Sequence, residues 1–189
     1  MANPKHTNQV RIIAGTHRGR KLPFATAEGL RPTPDSVRER LFNWLGQDLT
    51  GQTVLDLFSG SGALGFEAAS RNAKRVVLIE NNRTTAQTLK KNSQTLQLPQ
   101  IEVHHTDALH YLRHQPNTFN LIFLDPPYAW QQWQDLFPLL KQHLAEQAFI
   151  YLEAAQLPEL PEWLATYREG KAGMSQFKVL QYQPINETS

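Results

Sequence analysis

Twelve consecutive residues constrain this chain more than any other stretch: Val54-Leu55-Asp56-Leu57-Phe58-Ser59-Gly60-Ser61-Gly62-Ala63-Leu64-Gly65. A short apolar run ends in a glycine turn, and a helical pattern starts at once with Phe66-Glu67-Ala68-Ala69. That is the signature of a buried parallel strand, a tight turn and a helix whose N-terminus faces the space above the strand. Gly60 and Gly62 permit close approach of a ligand to the backbone, and the helix start offers free N–H groups to it.

Gly60 to Gly65 matches G-x-G-x-x-G, with Glu80 twenty residues after Gly60, a pattern shared with dinucleotide-binding folds. Two features point away from a dinucleotide. Asp56 sits inside the strand end, where a carboxylate suits a ligand's positive charge and gains nothing from a pyrophosphate. Asp125-Pro126-Pro127-Tyr128 follows a second apolar run, Leu121-Ile122-Phe123-Leu124, and so belongs at the carboxyl end of another strand. The rim formed by such strand ends is where open α/β sheets hold ligands.

The surrounding pattern alternates. Strands are expected near 53–57, 75–80, 101–104, 119–124 and 147–153, with helices near 63–71, 83–97, 108–114 and 131–144. Such alternation predicts a parallel sheet with right-handed crossovers, an α/β fold. Pro138 is expected to kink or split the fourth of these helices. Two further strands, near 165–169 and 176–182, would form an antiparallel pair. Upstream, Val10–Ala14 and Arg20–Pro23 predict a hairpin around Gly15 and Gly19, after a polar stretch, 1–9, expected to fray. Thr33 is expected to cap a helix that carries Pro34 at its first position and an apolar stripe of Val37, Leu41, Phe42 and Leu45.

Charge separates the two ends. Residues 1–40 carry eight Lys/Arg against Glu28, Asp35 and Glu39, a net +5, while the remainder carries −3. A basic arm on a mildly acidic body fits a polyanion partner, although a solvated basic surface explains the same count. The chain has no cysteine. That excludes disulfides, thiolate metal sites and the Cys nucleophile of pyrimidine C5 methylation, and is compatible with a reducing cytoplasm. No apolar run is long enough to span a membrane, and no secretory leader pattern opens the chain. The expected layout is a basic arm over 1–32, a catalytic domain over 33–183 and a tail over 184–189.

Asp56 through Gly65, Glu80, Asp107 and Asp125-Pro126-Pro127-Tyr128 together resemble S-adenosylmethionine (SAM)-dependent amino-methyltransferases. Val10-Arg11-Ile12-Ile13-Ala14-Gly15, Arg18-Gly19-Arg20-Lys21-Leu22, Leu30-Arg31-Pro32-Thr33 and Val37-Arg38-Glu39 with Leu41-Phe42-Asn43-Trp44-Leu45 narrow the resemblance to the RsmD family. The likeness spans about residues 10 to 182. It implies a Rossmann-like class I methyltransferase with a mostly parallel seven-stranded sheet and a closing antiparallel strand. It also implies methylation of a guanine N2 amine in small-subunit ribosomal RNA, at guanine 966 of 16S RNA, in a partly assembled subunit.

SAM chemistry then assigns roles. Asp56 would hold the ammonium, the Gly60–Gly62 turn would give room beside the methionine part, Glu80 would hold the ribose diol and Asp107 with Ala108 the adenine, with Phe58 and Asn81 also in the cofactor-binding set. A helix cap explains Asp107 equally well. An exocyclic amine is a poor nucleophile because its lone pair is delocalised. The Asp125 carboxylate and the Pro126 carbonyl could hold both N–H bonds, with Tyr128 stacked on the base. Arg11, Arg18, Arg20, Lys21, Arg31 and Arg38 are the candidate RNA contacts. His110 and His114 share a helix face without a third ligand, so no metal is expected. Trp130 and Trp133 serve packing or substrate.

The competing readings are a DNA adenine-N6 or protein glutamine-N5 methyltransferase, an NAD-dependent oxidoreductase, and a non-enzymatic RNA-binding assembly protein. Glutamine enzymes normally carry Asn at the position of Asp125, and 189 residues leave no room for a separate DNA-reading domain. The chain is expected to act as a cytoplasmic monomer.

Overall fold

The computed structural model of the protein describes residues 8–25 and 30–185, so the start of the polar stretch (1–7) and the end of the tail (186–189) lie outside the described residues. A two-stranded antiparallel hairpin, β1 (Gln9–Arg11) and β2 (Lys21–Pro23), precedes helix α1 (Asp35–Leu45). Then come β3 (Thr53–Asp56), α2 (Ala63–Ser70), β4 (Arg75–Glu80), α3 (Arg83–Thr95), β5 (Ile101–His105), α4 (Ala108–His114), β6 (Phe119–Leu124), α5 (Trp133–Lys141) and β7 (Leu144–Ala154). The antiparallel pair β8 (Leu164–Ala172) and β9 (Ser175–Tyr182) closes the fold.

The seven-stranded sheet has the order β5-β4-β3-β6-β7-β9-β8. Neighbours from β5 to β7 pair in parallel, and β9 runs antiparallel to both β7 and β8. The period of two along each strand sorts side chains into two cores. Val54, Val76, Leu78, Leu121, Phe123 and Tyr151 pack with α1, α2 and α3, whereas Leu55, Val77, Ile122, Leu124 and Leu152 pack with α4 and α5. Strands buried on both faces read as continuous apolar runs, which is why they stand out in the sequence. Among the described residues no helix is long and apolar enough to cross a membrane.

Three local expectations are corrected. Pro34, not Thr33, is the N-cap of α1, and the Thr33 hydroxyl is directed elsewhere. Helix α5 runs unbroken through Pro138 but ends at Lys141, three residues short of the expected 144. Strand β7 starts early because Leu144 pairs with Phe119 before an irregularity in register, and Gln147 takes a positive φ of 57° within the interrupted stretch. A bulge of this kind breaks the alternation that sequence periodicity relies on.

The hairpin expected to stand as a basic arm is built into the first core. Val10, Ile12 and Leu22 are buried there. Gly15 lies so close to α2 that a Cβ at that position would fall 1.9 Å from the Ser70 carbonyl oxygen. Thr16 N donates to that oxygen at 2.8 Å, and Ser70 Oγ donates to the Ala14 carbonyl at 2.6 Å while accepting from His17 N. Glu67, fully buried on α2, accepts from Ile13 N and Ala14 N at 2.9 and 3.0 Å.

Arg38 also belongs to this joint. It is 1% exposed and donates to Glu67, to Asp35 and to the carbonyls of Thr33 and Arg11. Its guanidinium is therefore spent inside the fold, and its expected role as an RNA contact is withdrawn. Arg71 reaches the other Glu67 oxygen at 2.9 Å. Glu67→Ala should cost about 3–5 kcal/mol, because buried Arg71 loses its counter-ion, buried Arg38 keeps only Asp35, and two backbone N–H groups lose their acceptor. Urea denaturation followed by circular dichroism measures this loss.

Candidate active site

The register gathers four acids at one rim of the sheet. Leu78, Asp56, Phe123 and Tyr151 are successive partners across β4, β3, β6 and β7. Two residues further on, Glu80, Asp125 and Glu153 end the same face of β4, β6 and β7. Side chains two apart share a face, so all four carboxylates project to the α1–α2 side at the carboxyl ends of neighbouring strands. They line a cleft of about 2350 Å³ together with Phe58, Gly60, Asp107 and Ala108 on one side and Pro126, Tyr128 and Trp130 on the other. Small-molecule pockets usually hold roughly 300–1,000 Å³, so this cleft has room for two ligands side by side.

The glycine turn shapes the first half. Gly62, at a φ of 82°, is the N-cap of α2, and a Cβ there would come within 2.7 Å of both Leu89 and Phe66. Glu80 is half-exposed. Its oxygens accept from Gly60 N and Asn82 N, each at 2.9 Å, so the carboxylate holds the turn while facing the cleft. Asp107 caps α4 by accepting from His110 N at 2.7 Å, and it lies at the cleft edge beside Ala108 and near Asn81. The cap role raised for Asp107 is thus observed, and its carboxylate still borders the cleft. Ser59 and Ser61 are spent on the loop itself.

Burial dominates the electrostatics. Asp56 is 2% exposed, and its carboxyl is pushed up to about 7. Loss of solvent is the main cause and the charge of Glu80 adds to it, against partial relief from the N–H groups of Phe58 and Gly65. Its charged neighbour is another acid, so an ammonium is the group that would complete it. Asp125 is likewise held well above the ordinary carboxylate range, by burial first and then by Glu153 and Asp56. The Thr33 hydroxyl donates to Asp125 Oδ2 at 3.3 Å and opposes that shift.

The second half is aromatic and open. Tyr128 is 82% exposed on the rim, where a base could stack on it. Trp130 lines the cleft and packs edge-on against Phe58 and Trp133, while Trp133 is buried in the second core and also borders the cleft. His110 and His114 stack on one another at the outer face of α4. Among the expected RNA contacts, Arg31 lines the cleft; Arg11, Arg18, Arg20 and Lys21 are exposed on or beside the hairpin, with Arg11 paired to Asp35.

Sequence reasoning missed Thr33, Arg40, Lys171, Tyr151 and Glu153. Arg40 and Lys171 add cations to the cleft wall. Tyr151 is fully buried and donates to Glu153 Oε2 at 2.7 Å. The available signal for Glu153 was its place at the end of an apolar strand, the same signal that marked Asp125.

The sequence model of the family described as Conserved hypothetical protein 95 matches residues 10–181. Ribosomal RNA small subunit methyltransferase D of Escherichia coli strain K12 is 40% identical over 195 residues, covering 100% of this chain and 98% of that protein. Its namesake in Haemophilus influenzae is 42% identical over 186 residues, covering 94% and 96%. The chain belongs to the RsmD family. A solved structure of the family, a putative methyltransferase yhhF from Escherichia coli, matches with a TM-score of 0.85 at 40% identity, over 93% of this chain and 99% of that one. The RsmD sheet order and its antiparallel β9 are thus those expected of a class I methyltransferase.

Asp56 supplies a pH test of this RsmD cleft. Its folded-state pKa lies above its unfolded value, so ionising it opposes folding. The penalty is full above pH 7 and fades as pH falls toward 4. Asp56→Asn should therefore stabilise the protein at pH 8 by on the order of a few kcal/mol, with the advantage lost by about pH 4. Thermal melts of both proteins across that range would show it.

Proposed function

We propose that this chain transfers a methyl group from SAM to the exocyclic N2 amine of a guanine in small-subunit ribosomal RNA. The observation that carries the reading is the junction of the two cleft halves: Asp56, on the glycine-turn side, and Asp125, heading Pro126-Pro127-Tyr128, on adjacent strands. The family resemblance supplies guanine 966 of 16S RNA as the target and a partly assembled small subunit as the substrate. The enzyme works as a cytoplasmic monomer in this proposal.

The residues fit SAM. The buried, cation-seeking Asp56 takes the ammonium, the turn at Gly60 and Gly62 gives room beside the methionine part, Glu80 with Asn81 takes the ribose, and Asp107 with Ala108 takes the adenine. When bound, SAM supplies an electrophilic methyl on a positive sulfur. The chain's own work is orientation. Asp125 and the Pro126 carbonyl accept the two N–H bonds of the amine and favour a pyramidal nitrogen, so that its lone pair faces the methyl donor. The prolines keep these acceptors fixed. Tyr128 covers the flipped base. Asp125, held above the usual carboxylate range by its burial, is suited to take the proton that the nitrogen sheds once it is alkylated. Arg31, Arg40 and Lys171 on the cleft wall, with the exposed basic residues of the hairpin, engage phosphates.

A methyltransferase that has lost Glu80 should still fold and bind SAM more weakly. Glu80→Ala is expected to lower SAM affinity by about 1.5–3 kcal/mol, as for hydrogen bonds to a charged group, and isothermal titration reads it directly.

The role of Asp125 separates acceptor from base. Asp125→Asn keeps an oxygen acceptor and should retain turnover reduced about ten- to a hundredfold, whereas Asp125→Ala should lose roughly a thousandfold. Single-turnover transfer to saturating small-subunit RNA, with nucleoside mass spectrometry of the product, isolates the chemical step. N2-methylguanosine as the product supports the function; methyladenosine, or no RNA product from a SAM-competent protein, refutes it.

A further inference from the structure

The row of acids does not end at Asp125. Read across the sheet, the acids at the strand ends are Glu80 on β4, Asp56 two residues lower on β3, Asp125 just past the end of β6, and Glu153 on β7. The first two belong to the glycine-turn half of the cleft. Glu153 is one strand beyond Asp125, on the side away from Asp56, and thus on the side of the base rather than of the cofactor. Neighbouring strands are roughly 4.8 Å apart, so Glu153 on β7 and Asp125, the residue that follows β6, lie within the reach of one base edge.

Glu153 is fixed as well as placed. Its backbone is paired in the interior of the sheet, opposite Phe177 on β9. The Tyr151 hydroxyl, held in the core, donates to Oε2 and sets the rotation of the carboxylate, which keeps Oε1 as an acceptor. Glu153 and its successors Ala154 and Ala155 line the cleft with Asp125, Pro126 and Tyr128. A carboxylate put beside another carboxylate in a partly dry cleft raises the free energy of the empty site unless hydrogen-bond donors arrive to relieve both. No sequence motif demands it there.

The guanine edge presents such donors side by side. N2 carries two hydrogens and the adjacent N1 carries one. Adenine offers an acceptor at N1, as does cytosine at N3, and a side-chain amide has no second donor next to its NH2. We propose that Glu153 is a specificity-determining residue that accepts the N1–H of the target guanine while Asp125 and Pro126 hold its N2 amine, with Tyr151 positioning the Glu153 carboxylate. The inference rests on the guanine-N2 reading above. It explains why an acid, and not an amide, stands at this position: a carboxylate repels the N1 lone pair of a wrong base, whereas an amide could turn and donate to it.

The test compares two RNAs that differ at the target base, guanine or 2-aminopurine. Both carry the N2 amine, but 2-aminopurine has an acceptor at N1. Single-turnover methyl transfer is measured for the unaltered protein, Glu153→Gln and Tyr151→Phe, with SAM affinity as the check on folding. The unaltered protein should prefer guanine by about tenfold or more. Glu153→Gln should bind SAM normally, lose guanine activity and narrow or invert that preference by about tenfold, because its amide can donate to N1. Tyr151→Phe should shift the ratio the same way but less. Loss of the O6 contact in 2-aminopurine affects all three proteins alike, so the change in ratio isolates N1. Equal treatment of the two RNAs by the unaltered protein overturns the inference. So does a Glu153→Gln variant that transfers to both RNAs in the original ratio. If Glu153→Gln does not fold, the unaltered protein and Tyr151→Phe still decide, and an unshifted ratio in Tyr151→Phe then overturns it. Failure of the unaltered protein to methylate the guanine RNA would instead remove the functional reading on which the inference stands.

Discussion

Glu67 accepts from two arginines and two backbone N–H groups, and these four donors come from three separate parts of the chain. Ile13 and Ala14 belong to the N-terminal hairpin, Arg38 to α1, and Arg71 to the end of α2. A buried ion with this many partners is costly to form and far more costly to leave half-made, so the joint sets the relative position of all three parts. Arg38 carries the constraint onward, since it also binds the Thr33 carbonyl, and Thr33 in turn donates to Asp125. A continuous run of polar contacts therefore connects the basic hairpin to the Asp125-Pro126-Pro127-Tyr128 loop. The hairpin's outer side carries exposed basic residues, and its inner side is part of the frame that fixes the Thr33 segment beside the cleft.

The acids at the strand ends work against this frame. Asp56 and Asp125 are both held above their ordinary ionisation range, by burial first and then by neighbouring acids, Glu80 for Asp56 and Glu153 with Asp56 for Asp125. A core built for stability alone would place apolar groups or amides there. Ligands bearing a cation on one side and hydrogen-bond donors on the other would relieve the strain, which makes the empty cleft the less stable form of the molecule.

Much of the frame was legible because it rests on local signals. Strands buried on both faces announce themselves as apolar runs, and the glycine turn and the Asp125-Pro126-Pro127-Tyr128 loop lie where such runs stop. Other features depended on information that a linear pattern lacks. Arg38 counts as one more positive charge until its burial beside Glu67 is seen. Thr33, followed by a proline, has the appearance of a helix cap, but its hydroxyl is drawn to a carboxylate 92 residues away. Glu153 closes an expected strand, but only the register of β6 with β7 sets it beside Asp125, and the start of β7 was hidden by the bulge at Gln147.

The antiparallel sense of β9 has a consequence for how this architecture can vary. Because β9 runs against its neighbours, the tight turn between β8 and β9 comes to the same rim as the carboxyl ends of the parallel strands. Lys171, Gly173 and Met174 accordingly form part of the cleft wall, with Met174 86% exposed. The wall is thus the tip of a two-stranded ribbon whose root is tied into the sheet. Adding two residues to each strand of that ribbon would raise the wall by about 7 Å without altering a single core contact. Wall height and core are separately adjustable, and the shape of molecule that can reach the cleft floor can drift while the acids at the strand ends stay still.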